Sequence, residues 1–527
     1  MSSTPSTARS ASKIMAAIFG SRILGLFREI LLSAIFGASL ELDALKTAFR
    51  IPNLLRDLFA EGALSTAFVT TFSQKLAKEG KPEAFRLANL VLTTLAGFLF
   101  IVTVWGILFS DWIVRILAPG FAGIPGKMEL TVTLTQIMFP FILVVALAAI
   151  YMGLLNSLGS FGLPASASTA FNVVSILVGA GAGWLYDPHF GSKAIYGFAI
   201  GVVAGGLIQW LIQVPRAWQL GFRPALALDF KDPGLRKVLI LMMPAIIAGS
   251  AVQINVMVNT RFASSFGNGA VTWLDNSFRL MQLPIGMFGV AISMVTLPSV
   301  SRSAALENLS EFRSKIQESL RCMFFLTLPA SAGLALAAHP IIALIFQRGA
   351  YKAFDTGQTA LLLQYYTLGL AGYAAIKVLA PAFYALDRVK TPVQISLTGI
   401  ALNIGFNLLF IHVLHLGLIS LPLSTSLVAL INFVQLAWWI QKPIGRLTDL
   451  AFCMSLGKIA FSTLIMILAL LGLRYLLSGT PAAIQVLLLM STGATVYFGA
   501  AWLLKLEEIH RFTGFIEAKL KPRSPGV

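Results

Sequence analysis

Ser21-Arg22-Ile23-Leu24-Gly25-Leu26-Phe27-Arg28-Glu29 lies inside an apolar run from 14 to 36, and its three charges decide how the chain is read. Crossing a bilayer takes about 20 mostly apolar residues, and this run is long enough. Each charge at the centre of such a helix costs ~2.5–3.5 kcal/mol on the insertion scale. At roughly 100° per residue, Arg22 and Glu29 fall two turns apart on one face, with Arg28 to one side of it. Gly25 between them leaves room for another helix or a ligand. A second segment, 44–74, carries Lys46, Arg50, Arg56, Asp57 and Glu61, with Asp43 at its outer start. Pro52 stands mid-segment, where it removes a helical hydrogen bond. Lys46 and Asp43 are near enough to an end to reach the interface. The set as a whole cannot face lipid. It faces a bundle interior, pairs internally or lines water. A structural ion network explains any one of these residues and explains the set poorly.

The rest of the chain has the same solvent. Of its 527 residues 57% are hydrophobic and 12% charged, where a soluble domain carries about 25% charged residues. Fourteen stretches read as spans: 14–36, 44–74, 86–109, 130–156, 163–185, 194–215, 237–262, 272–300, 320–346, 358–384, 391–413, 418–440, 452–475 and 483–505. The fold class expected is therefore an all-α polytopic membrane protein. Lys and Arg concentrate in alternate connections (75–86, 216–237, 302–321, 388–390, 442–446) and in the tail from 505. That alternation puts both termini in the cytoplasm and requires an even number of spans. It also accounts for the net charge of +17 without nucleic acid. The first run has no small-residue cleavage site after it and reads as a retained span.

Other chemistry is thinly supported. Cys322 and Cys453 lie in or beside apolar stretches, which argues against a disulfide framework or a cysteine zinc site. His412 and His415 have ligand-like spacing but no third partner nearby, so no metal is expected. No phosphate-cradling Gly-x-x-x-x-Gly-Lys-Ser/Thr loop appears, so ATP is not expected as a direct driver. The loops are too short and too poor in carboxylates for catalysis, and no catalytic residue is assigned.

Features recur 228 positions apart. Ala63-Leu64-Ser65 answers Ala291-Ile292-Ser293; Ser73, Ala77 and Glu79 answer Ser301, Ala305 and Glu307; Gln136, Leu158 and Pro164 answer Gln364, Leu386 and Pro392. Phe49-Arg50 and Phe278-Arg279 match with a slip of one. The duplication predicts two six-helix lobes, 1–228 and 229–450, then an extra helix pair at 451–505 and a basic surface tail at 506–527. Six is even, so the two copies share one orientation, as parallel repeats that rock about a central site. That is a transporter architecture.

The sign of the ligand is readable. Arg22, Arg28, Arg50 and Arg56, with Arg279 in the second copy, leave a positive excess. Arginine stays charged when buried, and its planar fork of donors fits phosphate or diphosphate. The last two spans, charged only near their ends, suit an acyl or prenyl tail.

These residues carry a family resemblance. Ser21 to Arg28, Asp43-Ala44, Pro52-Asn53-Leu54-Leu55-Arg56 and Phe59-Ala60-Glu61-Gly62-Ala63-Leu64-Ser65 resemble the opening of the MurJ (MviN) family of lipid II flippases. So do Ala118-Pro119-Gly120-Phe121, Phe346-Gln347-Arg348-Gly349 and Lys377-Val378-Leu379-Ala380-Pro381 through Phe383-Tyr384. The resemblance covers essentially the whole chain. It implies the fold of the multidrug/oligosaccharidyl-lipid/polysaccharide exporter superfamily in a bacterial inner membrane. It implies movement of lipid-linked peptidoglycan precursor, lipid II, from the cytoplasmic to the periplasmic leaflet for cell wall synthesis. The substrate-binding residues it implies are Arg22, Arg28, Asp43, Arg56, Glu61 and Arg279. Glu29, Arg50, Ser65 and Asp275 would support them. Asp43 is expected to compete for the arginines and release the anion. The membrane potential or an ion gradient is the expected driver, with no cofactor. The alternative is an exporter of another polyprenyl-linked saccharide or amphiphile. One departure stands out: the family often has Ala-Asp-Arg where this chain has Ser277-Phe278-Arg279, and Asp275 lies one turn earlier.

Overall fold

In the computed structural model, residues 5–56 and 63–509 are described, the side chains of 5–19, 63, 65, 66, 244, 245, 247–249, 251 and 252 excepted. Among the described residues there are helices and connections and no strand. In lipid this is forced, because a helix satisfies every backbone hydrogen bond within its own segment. Each stretch read as a span is helical over most of its described part, with short breaks in some, as at 139–140, 212–213 and 368–369. Among the described residues ten helices are long and apolar enough to cross a membrane, and a pair bent by 45° (Ala353–Thr367 with Leu370–Ala385) makes an eleventh.

The chain forms two compact units. The first is Met1–Thr272 with Arg348–Tyr351. It contains α1 (Pro5–Phe36), α2 (Leu40–Arg56), α3 (Ala63–Glu79), α4 (Lys81–Leu108), α5 (Ser110–Leu117), α6 (Lys127–Met138), α7 (Phe141–Ser157), α8 (Gly162–Tyr186), α9 (Ala194–Leu211), α10 (Val214–Gln219) and α11 (Pro233–Ala263). Its most extensive helix pair is α8 with α9. Gly197, Gly201 and Gly205 repeat every four residues along α9. A Cβ on Gly197 would stand 2.0 Å from the Gly183 backbone nitrogen of α8, and one on Gly201 2.5 Å from the Ser175 carbonyl. Small residues in this spacing let membrane helices pack backbone to backbone. The unit's core runs through Phe68, Phe72, Phe85 and Phe222, whose rings follow one another at 5.3, 6.4 and 5.6 Å.

The second unit is Trp273–Gln347 with Lys352–Val527. It takes in α12 (Ala270–Pro284) beyond its first turn, then α13 (Val290–Ala305), α14 (Leu309–Leu336), α15 (Ala338–Phe346), α16 (Ala353–Thr367), α17 (Leu370–Ala385), α18 (Lys390–Leu408), α19 (Ser420–Ile444), α20 (Leu450–Leu476) and α21 (Ala482–Leu503). A π-helical turn, Ile285–Gly289, joins α12 to α13. The last two helices pack on α14, where the Tyr497 hydroxyl donates to the Phe325 carbonyl at 2.6 Å.

The helix bounds repeat at the spacing seen in the sequence. Lys81–Leu108 and Leu309–Leu336 are offset by 228 at both ends, and α11 starts 228 residues after α1. Compact packing nevertheless divides the chain between Thr272 and Trp273, not at 228/229. The reason lies in α11, which packs on α3 of the first unit and is anchored there by Lys237 Nζ donating to Gln74 Oε1 at 2.8 Å.

Candidate functional site

The charged residues of α1 and α2 form two separate clusters in the first unit. In one, Glu29 is shared by two cations. A guanidinium nitrogen of Arg28 lies 3.4 Å from its Oε1, and Lys46 Nζ lies 3.3 Å from its Oε2. The side chains are 13%, 6% and 7% exposed for Arg28, Glu29 and Lys46. The Arg28 guanidinium also stands 5.4 Å from the centre of the Phe171 ring on α8. Two cations share one carboxylate in a low-dielectric setting, where charges interact far more strongly than in water. The Asn172 side-chain amide of α8 donates to the Ser21 carbonyl at 3.1 Å, beside Gly25, and so fixes α1 against α8. Arg22 is exposed on α1, and Arg50 and Arg56 are half-buried on α2.

The second cluster is built around Asp43. Its carboxylate does not sit on the arginines. It is fully buried and accepts from Lys127 Nζ at 2.9 Å, the backbone N–H groups of Gly269 and Thr272 at 2.8 and 2.9 Å, and the Thr272 hydroxyl at 2.7 Å. Those N–H groups open α12, where a helix has no internal acceptor for them. Asp43 therefore caps that helix end from α2, with the favourable sign for its dipole. Lys127, at the start of α6, is also fully buried. It donates to the Asn268 side chain at 3.1 Å and lies 4.2 Å from the centre of the Phe121 ring. Sequence reasoning missed Lys127. The available signal was a single lysine at the mouth of an apolar span, in a connection otherwise poor in basic residues.

The short motifs acquire structural reasons. Phe121 supplies the ring under Lys127. Gly120 donates its N–H to the Ser264 hydroxyl at 3.1 Å, and a Cβ there would fall 2.4 Å from the Ser264 carbonyl. Ala350, next to Gly349, donates to the Ala34 carbonyl at the end of α1 at 2.8 Å. Glu61 and Asp57 lie outside the described residues, as does the Ser65 side chain.

In the second unit Asp275 and Arg279, one helical turn apart on α12, approach to 3.7 Å. The Phe278 ring packs 5.3 Å from Tyr366. Asn403 and Asn407 of α18 are fully buried, with the Asn407 amide donating to Asn403 Oδ1 at 3.0 Å. The Ser424 hydroxyl of α19 donates to Asn407.

A family model described as lipid II flippase MurJ matches residues 32–491. The chain belongs to the MurJ family. A lipid II flippase MurJ of Burkholderia cenocepacia is 36% identical over 422 residues, 79% of this chain and 81% of that one. A probable lipid II flippase MurJ of Bdellovibrio bacteriovorus is 34% identical over 508 residues, 95% of this chain and 96% of that one. A solved lipid II flippase MurJ in an inward closed conformation superposes with a TM-score of 0.78 at 26% identity, covering 93% of this chain and 98% of that one. A multidrug-resistance MATE-family transporter of the MOP superfamily gives a TM-score of 0.70 at 15% identity over 81% of this chain and 95% of that one, a likeness of fold. The match runs from residue 32 in α1 through α20 and into the first half of α21, so Asp43, Lys46, Lys127 and Arg279 all fall within the matched region.

Proposed function

We propose that this protein carries lipid II from the cytoplasmic to the periplasmic leaflet of the bacterial inner membrane by alternating access. The observation that carries the reading is the Arg28–Glu29–Lys46 cluster, two cations and a carboxylate held among apolar helices of a MurJ-family chain. Glu29 keeps the two cations in position while no anion is present. An arriving diphosphate accepts hydrogen bonds from the Arg28 fork and attracts Lys46 as a point charge. Exposed Arg22 meets the substrate on the same helix, and Arg50 and Arg56 extend the positive lining of the first unit. The polyprenyl tail stays in lipid against α20 and α21. No covalent step is assigned to any residue, and no cofactor is needed.

Asp43 acts through helix positioning in this scheme. In this scheme opening of the outer face takes the N-terminus of α12 off the Asp43 carboxylate, and Lys127 remains as its partner. Net inward movement of positive charge draws on the membrane potential, worth ~2.3 kcal/mol per charge per 100 mV.

The test is Arg28→Ala in a strain that depends on this chain, with the leaflet of the lipid-linked precursor measured. Precursor retained in the inner leaflet and failure of wall synthesis are expected; normal flipping and growth would overturn the proposal. Arg28→Lys keeps the charge but loses the fork, and an intermediate rate is expected. Competition between lipid II and a polyprenyl-diphosphate saccharide lacking the peptide, measured on purified protein, separates the proposed substrate from other lipid-linked saccharides.

A further inference from the structure

The connection between α10 and α11 contains the most exposed large apolar side chain that is not on a helix. Residues 222–229 run without a turn or bend, and Leu226, Leu228 and Phe230 are 94%, 66% and 62% exposed. Spacing of two puts Leu226 and Leu228 on the same side of the extended run, and Phe230 follows in the turn that ends it. One edge of its backbone is strapped to α4. The Asn89 side-chain amide donates to the Arg223 carbonyl at 3.3 Å and accepts from the Ala225 N–H at 3.1 Å. The Thr93 hydroxyl accepts from the Ala227 N–H at 3.2 Å. Asn89 and Thr93 rise ~6 Å apart along the helix. Ala225 and Ala227 are separated by ~6.6 Å in an extended chain. A helix thereby replaces the neighbouring strand that this segment lacks.

The place of the strap defines what covers its apolar side. α4 is itself a span, and Lys75, Lys78, Lys81 and Arg86 mark its first turns as the headgroup level. From there the strap reaches Thr93, three turns into the helix. Exposed Arg223 and Lys231 flank the three apolar residues. The two carboxylates are drawn to the protein side: Asp229 lies 3.8 Å from Arg86, and Asp232 caps α11 and lies 4.0 Å from Lys75.

We propose that 223–231 is a membrane-inserted strap: Leu226, Leu228 and Phe230 enter the acyl boundary beside α4, and Arg223 and Lys231 engage the phosphates of anionic lipid. Insertion of this kind buries side chains roughly 5–10 Å into the boundary region. The connection into α11 is then gripped by lipid, and its hold depends on lipid charge. The proposal stands independently of the transported substrate.

The experiment uses full-length protein with Cys322→Ala and Cys453→Ala, carrying Leu226→Cys or Leu228→Cys labelled with an environment-sensitive fluorophore. Gln219→Cys, exposed at the end of α10, is the aqueous reference. In nanodiscs of phosphatidylcholine with phosphatidylglycerol, we expect labels at 226 and 228 to be quenched by lipid bearing a shallow nitroxide and protected from iodide. Quenching by nitroxide should fall severalfold when phosphatidylglycerol is omitted, or when Arg223→Gln and Lys231→Gln are combined. Iodide quenching equal to that at 219 overturns the proposal. So does protection from iodide without nitroxide quenching, which means that protein covers the strap. Nitroxide quenching indifferent to lipid charge overturns the role of Arg223 and Lys231.

Discussion

Asp43 and Lys127 are 84 positions apart and meet at 2.9 Å, both without solvent exposure. A buried ion pair contributes little net stability, but loss of one partner leaves the other as an uncompensated charge. Asp43→Asn or Lys127→Met alone should therefore cost ~3–5 kcal/mol. The double substitution should cost clearly less than the two added together. Thermal unfolding of the purified variants in one detergent reads both values, and additivity would mean that the pair is not coupled. At Gly120 a Cβ would meet the Ser264 carbonyl, which is backbone and cannot swing away. Gly120→Ala should lower the unfolding temperature, whereas Gly123→Ala, with open space around its Cβ position, should not. Charges inside a span announce that partners exist, which is why Arg28, Glu29 and Lys46 were legible from sequence. Their assignment to partners was not, because Asp43 and Lys46 sit three residues apart on α2 yet bind α12 and α1. The Asp275–Arg279 pair was legible for the opposite reason: both ends are on one helix at a spacing of four.

Helices were legible because lipid leaves a long apolar segment no other structure, and the 228-residue offset was legible because duplicated helices keep their lengths. Packing of α11 was not legible, since its apolar faces do not say which unit covers them. The glycine stripe on α9 is the element-scale feature with a sharp consequence. Gly201→Val pushes side-chain atoms against the Ser175 carbonyl and the Gly179 backbone. Overpacking of this kind costs typically 1–3 kcal/mol, occasionally more. Gly181→Val on α8, where nothing lies within 4 Å of the Cβ position, should be close to neutral by the same unfolding assay. Asp449, the residue that caps α20, makes a pH prediction. Its carboxylate accepts from the Phe452 N–H at 2.8 Å and the Gln317 amide at 2.9 Å, and these two hydrogen bonds hold its pKa below the ordinary value. A lowered pKa in the folded state means that the carboxylate stabilises the fold above the unfolded value of about 3.9 and stops doing so as pH falls through the folded value. Asp449→Ala should cost ~0.5–2 kcal/mol at neutral pH. The gap between wild type and variant should shrink on acidification below that window, and a gap constant with pH would rule out the charged cap.

At the scale of the whole molecule, contacts between connections constrain how many helices cross the membrane. Two residues that touch at one membrane face must be separated by an even number of crossings. Between Asp43 and Lys127 lie α4, a span by length and composition, and the α2–α3 segment, whose two helices have 17 described residues each, below the length of a span. Their contact at 2.9 Å therefore requires α2–α3 to cross as well. Between Lys127 and the Gly269 carbonyl, 3.4 Å apart, lie α6–α7, α8, α9–α10 and α11, so α11 must also cross. The opposite face obeys the same parity: Lys75 lies 4.0 Å from Asp232 across four such segments, and Gln317 meets the Leu447 carbonyl at 2.7 Å across four more. With α1 this makes fourteen crossings and puts 43, 127, 189, 269 and 478 on one side, with 78, 232, 307 and 449 on the other. Single cysteines in a background of Cys322→Ala and Cys453→Ala read the arrangement directly. His189→Cys and Ser478→Cys should react with an impermeant maleimide in cells with a permeabilised outer membrane, while Lys78→Cys and Glu307→Cys should react only after the inner membrane is broken. Labelling of 189 and 307 from the same side would break the parity and remove one crossing between them.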